Sequence, residues 1–266
     1  MTEEEDELMK NDRNERADIL SSELEKYSNS DVDEIGEVLA YEESILHQVI
    51  RKRELEVIFA FLYSEPPHMI LDYGCGAGWL SHILSQKGFS VVGVDINPML
   101  ITHAKRITPS SEFVICDGES LPFKNECIDS VFAIAILHHV NLKKGCKEIK
   151  RVSIKNTKFL FIEPNLINPI SAFGRKFFPM NTHTKGERAF IPSSLKKTLK
   201  KFGFIIERNN YQFFAALALG RLFKIANIKP PQILINLILL FENFIQIIPL
   251  IQQLNSTMLL IGKVSK

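Results

Sequence analysis

Residues 69–88 read MILDYGCGAGWLSHILSQKG: a short apolar run, then glycines at 74, 76 and 78, then a segment of helical pattern. Glycine is a poor helix former, so three of them at a strand-to-helix junction answer a demand other than local stability. MILDY is predicted as a buried strand and WLSHILSQKG as a helix ended by Gly88. An open turn between them lets a ligand approach main chain with no Cβ in the way, facing the N–H groups that start the helix. The pattern is D-x-G-x-G-x-G from Asp72 to Gly78; a G-x-G-x-x-G dinucleotide loop would need glycine where the chain has Trp79.

The alternation continues on both sides of this junction. SVVGVDI (90–96), EFVICDG (112–118), IDSVFAIAIL (128–137) and KFLFIEP (158–164) are predicted strands. PMLITHAKRI (98–107), with proline in its first turn, and NLKKGCKEIKRV (141–152) are predicted helices. The strand segments are continuously apolar, as parallel strands covered on both faces are. Strands alternating with helices imply an α/β, Rossmann-like, doubly wound sheet. Upstream, residues 37–63 have helical periodicity, and SEPPH (64–68) stops it. Beyond Pro164, residues 165–190 lack a clean period, PSSLKKTLKKFG (192–203) reads as a helix, and FIIERNN (204–210) and TMLLIGKV (257–264) read as a sixth and a seventh strand.

The net charge of +1 conceals an asymmetry: residues 1–37 hold 14 acidic and 4 basic residues, and the remainder 17 acidic and 28 basic. The start reads as an acidic arm outside the core. The basic remainder suits an anionic partner or a set of solvated helix faces. The opening residues are acidic where a secretory signal would be basic and then apolar. Cys75, Cys116, Cys127 and Cys146 are irregularly spaced, with no C-x-x-C pair, which argues against a zinc site or a secreted disulfide framework and fits a reducing, cytoplasmic setting.

Two acids sharpen the ligand reading. Asp95 ends the second predicted strand, 21 residues after Gly74, where a carboxylate can accept both hydroxyls of a ribose. Asp117 ends the third, within reach of an adenine amino group. With ILDYGCGAGWLS, VVGVDINPMLITHAKR, CDGESLPFKNECIDSVFAIAILHHV and FLFIEP in this order, the segment from about Tyr63 to Pro164 resembles a class I S-adenosylmethionine-dependent methyltransferase of the type 11 or UbiE-like group. The resemblance implies a seven-stranded, mostly parallel sheet with an antiparallel last strand. It also implies S-adenosyl-L-methionine as cofactor: Asp72 and the loop Gly74, Cys75, Gly76 and Gly78 on its methionine part, Asp95 on the ribose, Ile96 against the adenine. Asp117, with the Cys116 backbone and Gly118 or the Glu119 side chain nearby, would meet the adenine amino group, and the Ala135 carbonyl the methionine ammonium. The expected organisation is an acidic arm (1–37) and one methyltransferase domain (38–266). Within the domain lie a cofactor core (63–164), an acceptor-side connection (165–191) and a hydrophobic helical insertion (211–255).

Methyl transfer is an in-line displacement that requires a base only where the acceptor loses a proton. His138 and His139 after the fourth strand, Glu163 at the end of the fifth, and His183 are the candidates, each with loop capping as its alternative role. ILHHV stands where methylases of nucleobase amines typically carry an Asn/Asp-Pro-Pro-aromatic motif, so no nucleic-acid partner is expected. A small or lipid-like acceptor is the default. The rival readings are a nucleic-acid or protein methyltransferase and a cofactor-binding regulator without turnover. QILINLILLFENFIQIIPLI (232–251) is too short and too polar for a membrane span. Three roles stay open for it: a roof over the acceptor pocket, a homodimer contact, or a peripheral contact with an anionic membrane.

Overall fold

The computed structural model describes residues 45–64, 66–177 and 190–266; the acidic arm and His183 lie outside the described residues. Seven strands make one sheet: β1 (Ile70–Tyr73), β2 (Val91–Asp95), β3 (Glu112–Ile115), β4 (Ile128–Ile134), β5 (Ser153–Pro164), β6 (Phe204–Gln212) and β7 (Thr257–Val264). Their spatial order is β3-β2-β1-β4-β5-β7-β6. Strands β1 to β5 run parallel, and β7 is antiparallel to both its neighbours, β5 and β6. The order reverses between β1 and β4, which opens a crevice beyond their carboxyl ends.

Successive side chains of each strand go to opposite faces, and here both faces are apolar. Leu71, Tyr73, Val131, Ala133, Phe159 and Phe161 form one core with α4 (Leu142–Val152) and α6 (Pro192–Lys201). Ile70, Phe132, Leu160 and Ile162 form the other with α1 (Ile45–Ser64) and α2 (Trp79–Gln86). Side chains on α3 (Pro98–Ile107) pack against Phe113 of β3. Asn97 caps α3 by accepting from the N–H groups of Met99 and Leu100, and Asn141 caps α4 through those of Lys143 and Lys144.

The strands β3 and β4 end earlier than their apolar runs suggest. After Ile115 the Asp117 carboxylate accepts the Glu119 N–H at 2.9 Å, a local turn that competes with the ladder, so Asp117 sits beyond β3 and not at its last residue. After Ile134 the chain leaves the extended region, with Ala135 at φ 54°. Conversely, β5 starts at Ser153, directly after α4.

The connection after β5 contains α5 (Pro169–Phe177), and the segment between β6 and β7 holds α7 (Ala216–Ile225), α8 (Gln232–Ile247) and α9 (Pro249–Gln252). Leu46 and Ile50 of α1 pack with Phe213, Ala216, Ile235 and Ile238 to seat these helices. The buried Glu242 carboxylate of α8 accepts the N–H groups of Phe214, Ala215 and Ala216 at 2.6–2.7 Å, which caps α7. The buried amide of Asn165 donates to the Gln253 and Asn255 carbonyls, and that of Asn168 to those of Phe214 and Leu254. The insertion is thereby sewn, at both of its ends, to the sheet edge where β5 finishes.

Candidate active site

The three glycines have φ of 76° (Gly74), 53° (Gly76) and 82° (Gly78), a region L-residues with side chains seldom occupy. The N–H groups of Gly74 and Cys75 both donate to the Val94 carbonyl, folding the loop over β2. A Cβ at Gly74 would stand 2.2 Å from Ile136 Cγ1, and one at Gly78 2.7 Å from Ala104 Cβ, so these two glycines allow close packing. At Gly76 a Cβ would meet nothing within 4 Å. The middle glycine therefore lines open space, and its missing side chain leaves a cradle for a ligand.

Asp95 fixes that cradle. Its Oδ2 accepts the Gly76 N–H at 2.9 Å and its Oδ1 accepts the Asn97 N–H at 2.9 Å. Asp72, buried beneath the loop, accepts the Ser81 hydroxyl of α2 at 2.6 Å. Burial pushes the Asp72 carboxyl up to about 6; the Ser81 hydrogen bonds oppose the rise, and the nearby Asp95 charge adds to it. Desolvation likewise pushes the Cys116 thiol up to about 11 and that of Cys75 well above its ordinary value. Both sulfurs stay protonated at neutral pH and are poor nucleophiles.

Half-buried Ile96 and Cys116 flank the Asp95–Asp117 edge, and the Cys116 N–H donates to the Asp95 carbonyl. Tyr73 is fully buried, and its hydroxyl donates to the Gly118 carbonyl at 2.8 Å. A Cβ at Gly118 would lie 2.4 Å from that hydroxyl oxygen, so glycine is what admits the tyrosine.

Beside the cradle, Glu163 at the end of β5 governs the loop after β4. Its Oε1 accepts the N–H groups of Ile136 and Leu137 at 3.0 and 2.7 Å, and its Oε2 lies 2.7 Å from His138 Nδ1. Both residues are buried, and the His139 ring lies 4.1 Å from that of His138, centroid to centroid. Ala135, just before this turn, is exposed, and its N–H donates to the Ile162 carbonyl. The structure thus gathers Asp72, Gly74 to Gly78, Asp95, Asp117, Ala135, His138, His139 and Glu163 along one edge of the sheet.

Some participants escape sequence reasoning. Ser81 holds Asp72 and Asn97 is held by Asp95; Glu119, which the resemblance sets near the adenine, accepts the Asn141 N–H at 2.9 Å, tying the Asp117 turn to the start of α4. Asn-Pro at 97–98 is a helix-start signal that marks Asn97; nothing local marks Ser81.

Residues 71–161 match the methyltransferase domain family. The chain is 29% identical over 129 residues to a tRNA (carboxymethyluridine(34)-5-O)-methyltransferase of Saccharomyces cerevisiae, covering 44% of this chain and 46% of that protein. It is 34% identical over 92 residues to a 2-methyl-6-phytyl-1,4-hydroquinone methyltransferase of Synechocystis, covering 33% of this chain and 29% of that protein. The chain thus spans less than half the length of these relatives. A solved S-adenosylmethionine-dependent methyltransferase of Thermotoga maritima shares the fold, with a TM-score of 0.61 over 90% of this chain and 98% of that one, at 15% identity. The cradle, with open space at Gly76 and a carboxylate at the end of β2, fits S-adenosylmethionine, the cofactor of this fold family.

Proposed function

We propose, starting from the class I S-adenosylmethionine-dependent methyltransferase domain of the UbiE-like group that this chain carries, that it methylates a small, hydrophobic or lipid-like acceptor. The observation that carries the acceptor class is the insertion. An aliphatic helix layer is tied by Glu242, Asn165 and Asn168 to the same sheet edge that bears Glu163 and His138. The cofactor supplies an electrophilic methyl group. Gly76 and its neighbours hold the methionine part, Asp95 the ribose hydroxyls, Ile96 the adenine face, Asp117 the adenine amino group and the Ala135 carbonyl the ammonium.

Glu163 is a positioning residue, because its carboxylate oxygens already serve two backbone N–H groups and an imidazole. A carboxylate on Nδ1 fixes the orientation of the imidazole. His138, so oriented, is the residue that takes the proton of a hydroxyl or activated carbon as the methyl arrives. Holding acceptor and donor in line would by itself lower the barrier. Replacing His138 by Ala should lower kcat on the order of 100-fold with cofactor affinity within about threefold of wild type; unchanged turnover removes His138 from the reaction.

The decisive assay offers radiolabelled donor with three acceptor pools: a lipid extract, an aqueous metabolite extract and total tRNA. Label in the lipid pool is the expected result. The second reading, an RNA acceptor, draws on the tRNA-modifying relative and on Lys196, Lys197, Lys200 and Lys201 of α6. Label in tRNA, with binding that weakens steeply as salt rises, would replace the first reading with the second.

A further inference from the structure

The polar and apolar sides of α8 are arranged unusually. Ile235, Ile238 and Ile245 point into the protein with Glu242. Ile233, Leu237, Leu240, Phe244 and Ile247 are 71, 57, 66, 59 and 75% exposed. Their spacing of four, three, four and three residues makes one continuous stripe. The stripe runs the length of the 16-residue helix, about 24 Å at 1.5 Å per residue. Leu234 and Phe241 on the same helix, and Ile228 and Leu222 before it, are exposed as well. An exposed apolar surface of this extent is uncommon on a protein that works alone in water. The helix is not loosely attached, since Glu242 caps α7 and the Arg53 guanidinium donates to Asn243 Oδ1 at 2.9 Å.

We propose that this stripe is a membrane-docking face, which seats the domain on an anionic lipid surface with α8 lying in the plane of the interface. The proposal deepens the hydrophobic-acceptor reading by giving such an acceptor its source. Charge selects the occupant. Between Arg208 and Lys263 the charged residues are Arg221, Lys224, Lys229 and Glu242. Lys229 is exposed next to Ile228, and the one acid is buried in its capping role. The segment therefore carries three cations, the exposed Lys229 among them, and no carboxylate other than the buried Glu242. A second copy of the same face would bring these cations no acid from this segment, whereas anionic headgroups complement them everywhere. A bilayer core needs about 20 apolar residues to be crossed, and no described helix is long and apolar enough to cross one. Lying along the surface is the mode that remains for α8. The Asn165 and Asn168 amides fasten the ends of the insertion to the turn that follows β5, so the docked helix is joined to the strand that carries Glu163.

The test is vesicle flotation of the full chain, wild type against Leu237→Gln/Leu240→Gln/Phe244→Gln, on phosphatidylcholine vesicles with and without 30% phosphatidylserine. Calorimetric titration with S-adenosylhomocysteine and the melting temperature monitor the fold and cofactor site of both proteins. Wild type is expected to float with anionic vesicles and several-fold less with neutral ones. The triple variant should lose at least tenfold in vesicle binding, with its cofactor affinity and melting temperature unchanged. Wild type that stays in the soluble fraction on both vesicles overturns the proposal. So does a concentration-dependent dimer in light scattering that the triple variant dissolves while vesicle binding is absent. The acceptor assay is separate: vesicle binding with label only in tRNA sinks the lipid acceptor and keeps the docking face, and label in lipid without vesicle binding does the reverse.

Discussion

The carboxyl edge of β1 and β2 and the helix α8 solve opposite problems with polar groups. At the strand edge Asp95 is partly exposed, and its carboxylate accepts the Gly76 and Asn97 N–H groups while shaping a cradle open to a ligand. On α8 the one charged group turns back towards the protein, with Glu242 spent on three N–H groups at the head of α7, and an apolar stripe is exposed alongside Gln232, Asn236 and Asn243. The lesson is that an amphipathic pattern states that a helix has two faces and does not state which of them is inside. The inner side is decided by whatever needs a partner most, and here that is the start of α7.

Four measurements bear on this contrast, the largest effect first. Glu242→Ala leaves three N–H groups at the head of α7 without their acceptor, two of them bonded to a buried oxygen. It should cost about 3 kcal/mol, read as a melting temperature lower by roughly 10 °C. A drop of only a degree or two would mean that α8 is held by its leucines and isoleucines and not by its acid. Asp95→Ala should weaken S-adenosylhomocysteine binding on the order of 100-fold, since hydrogen bonds to a charged group are each worth about 1.5–3 kcal/mol. Calorimetry that finds the affinity unchanged would refute the role of the strand edge.

The third concerns Asp72, whose folded carboxyl is raised to about 6 from 3.8. A raised carboxyl means that the folded state holds its proton more tightly than the unfolded state. This residue therefore costs nothing below about pH 4, and stability falls as pH rises through the window from about 4 to 6, by up to about 3 kcal/mol. Asp72→Asn should flatten that part of the stability curve, as followed by urea unfolding at a series of pH values. An identical slope in the variant would assign the pH dependence to other groups. The smallest effect belongs to Leu237→Gln on the outer stripe, which should change stability by less than about 0.5 kcal/mol. A loss of several degrees would show that this face is packed against something, and the contrast between the two regions would fail.

The parts of the fold that were legible in the sequence are those set by neighbours in the chain. Residues 98–107 and 257–264 form the helix and strand their periodicity predicts, and the glycines at 74, 76 and 78 form the turn between strand and helix that their position implies. The strand ends were misread where a side chain or a single backbone rotation intervenes: the Asp117 turn stops β3, and Ala135 stops β4. Within the site, the order of the candidate residues along the strand ends was visible. The division of labour was not, because the contact between His138 and Glu163 joins positions 25 apart. The Tyr73 hydroxyl likewise finds Gly118 across 45 residues.

The sequence alone determined the alternation of strands and helices, the open turn after β1 and the acid at the end of β2, because each rests on interactions within a few residues of the chain. Only the tertiary structure decided that Glu163 holds the β4 loop, that Tyr73 fits beneath Gly118, and that α8 turns an aliphatic stripe outwards. Those outcomes depend on which distant backbone groups are buried without another acceptor, and no local pattern records where such groups will lie.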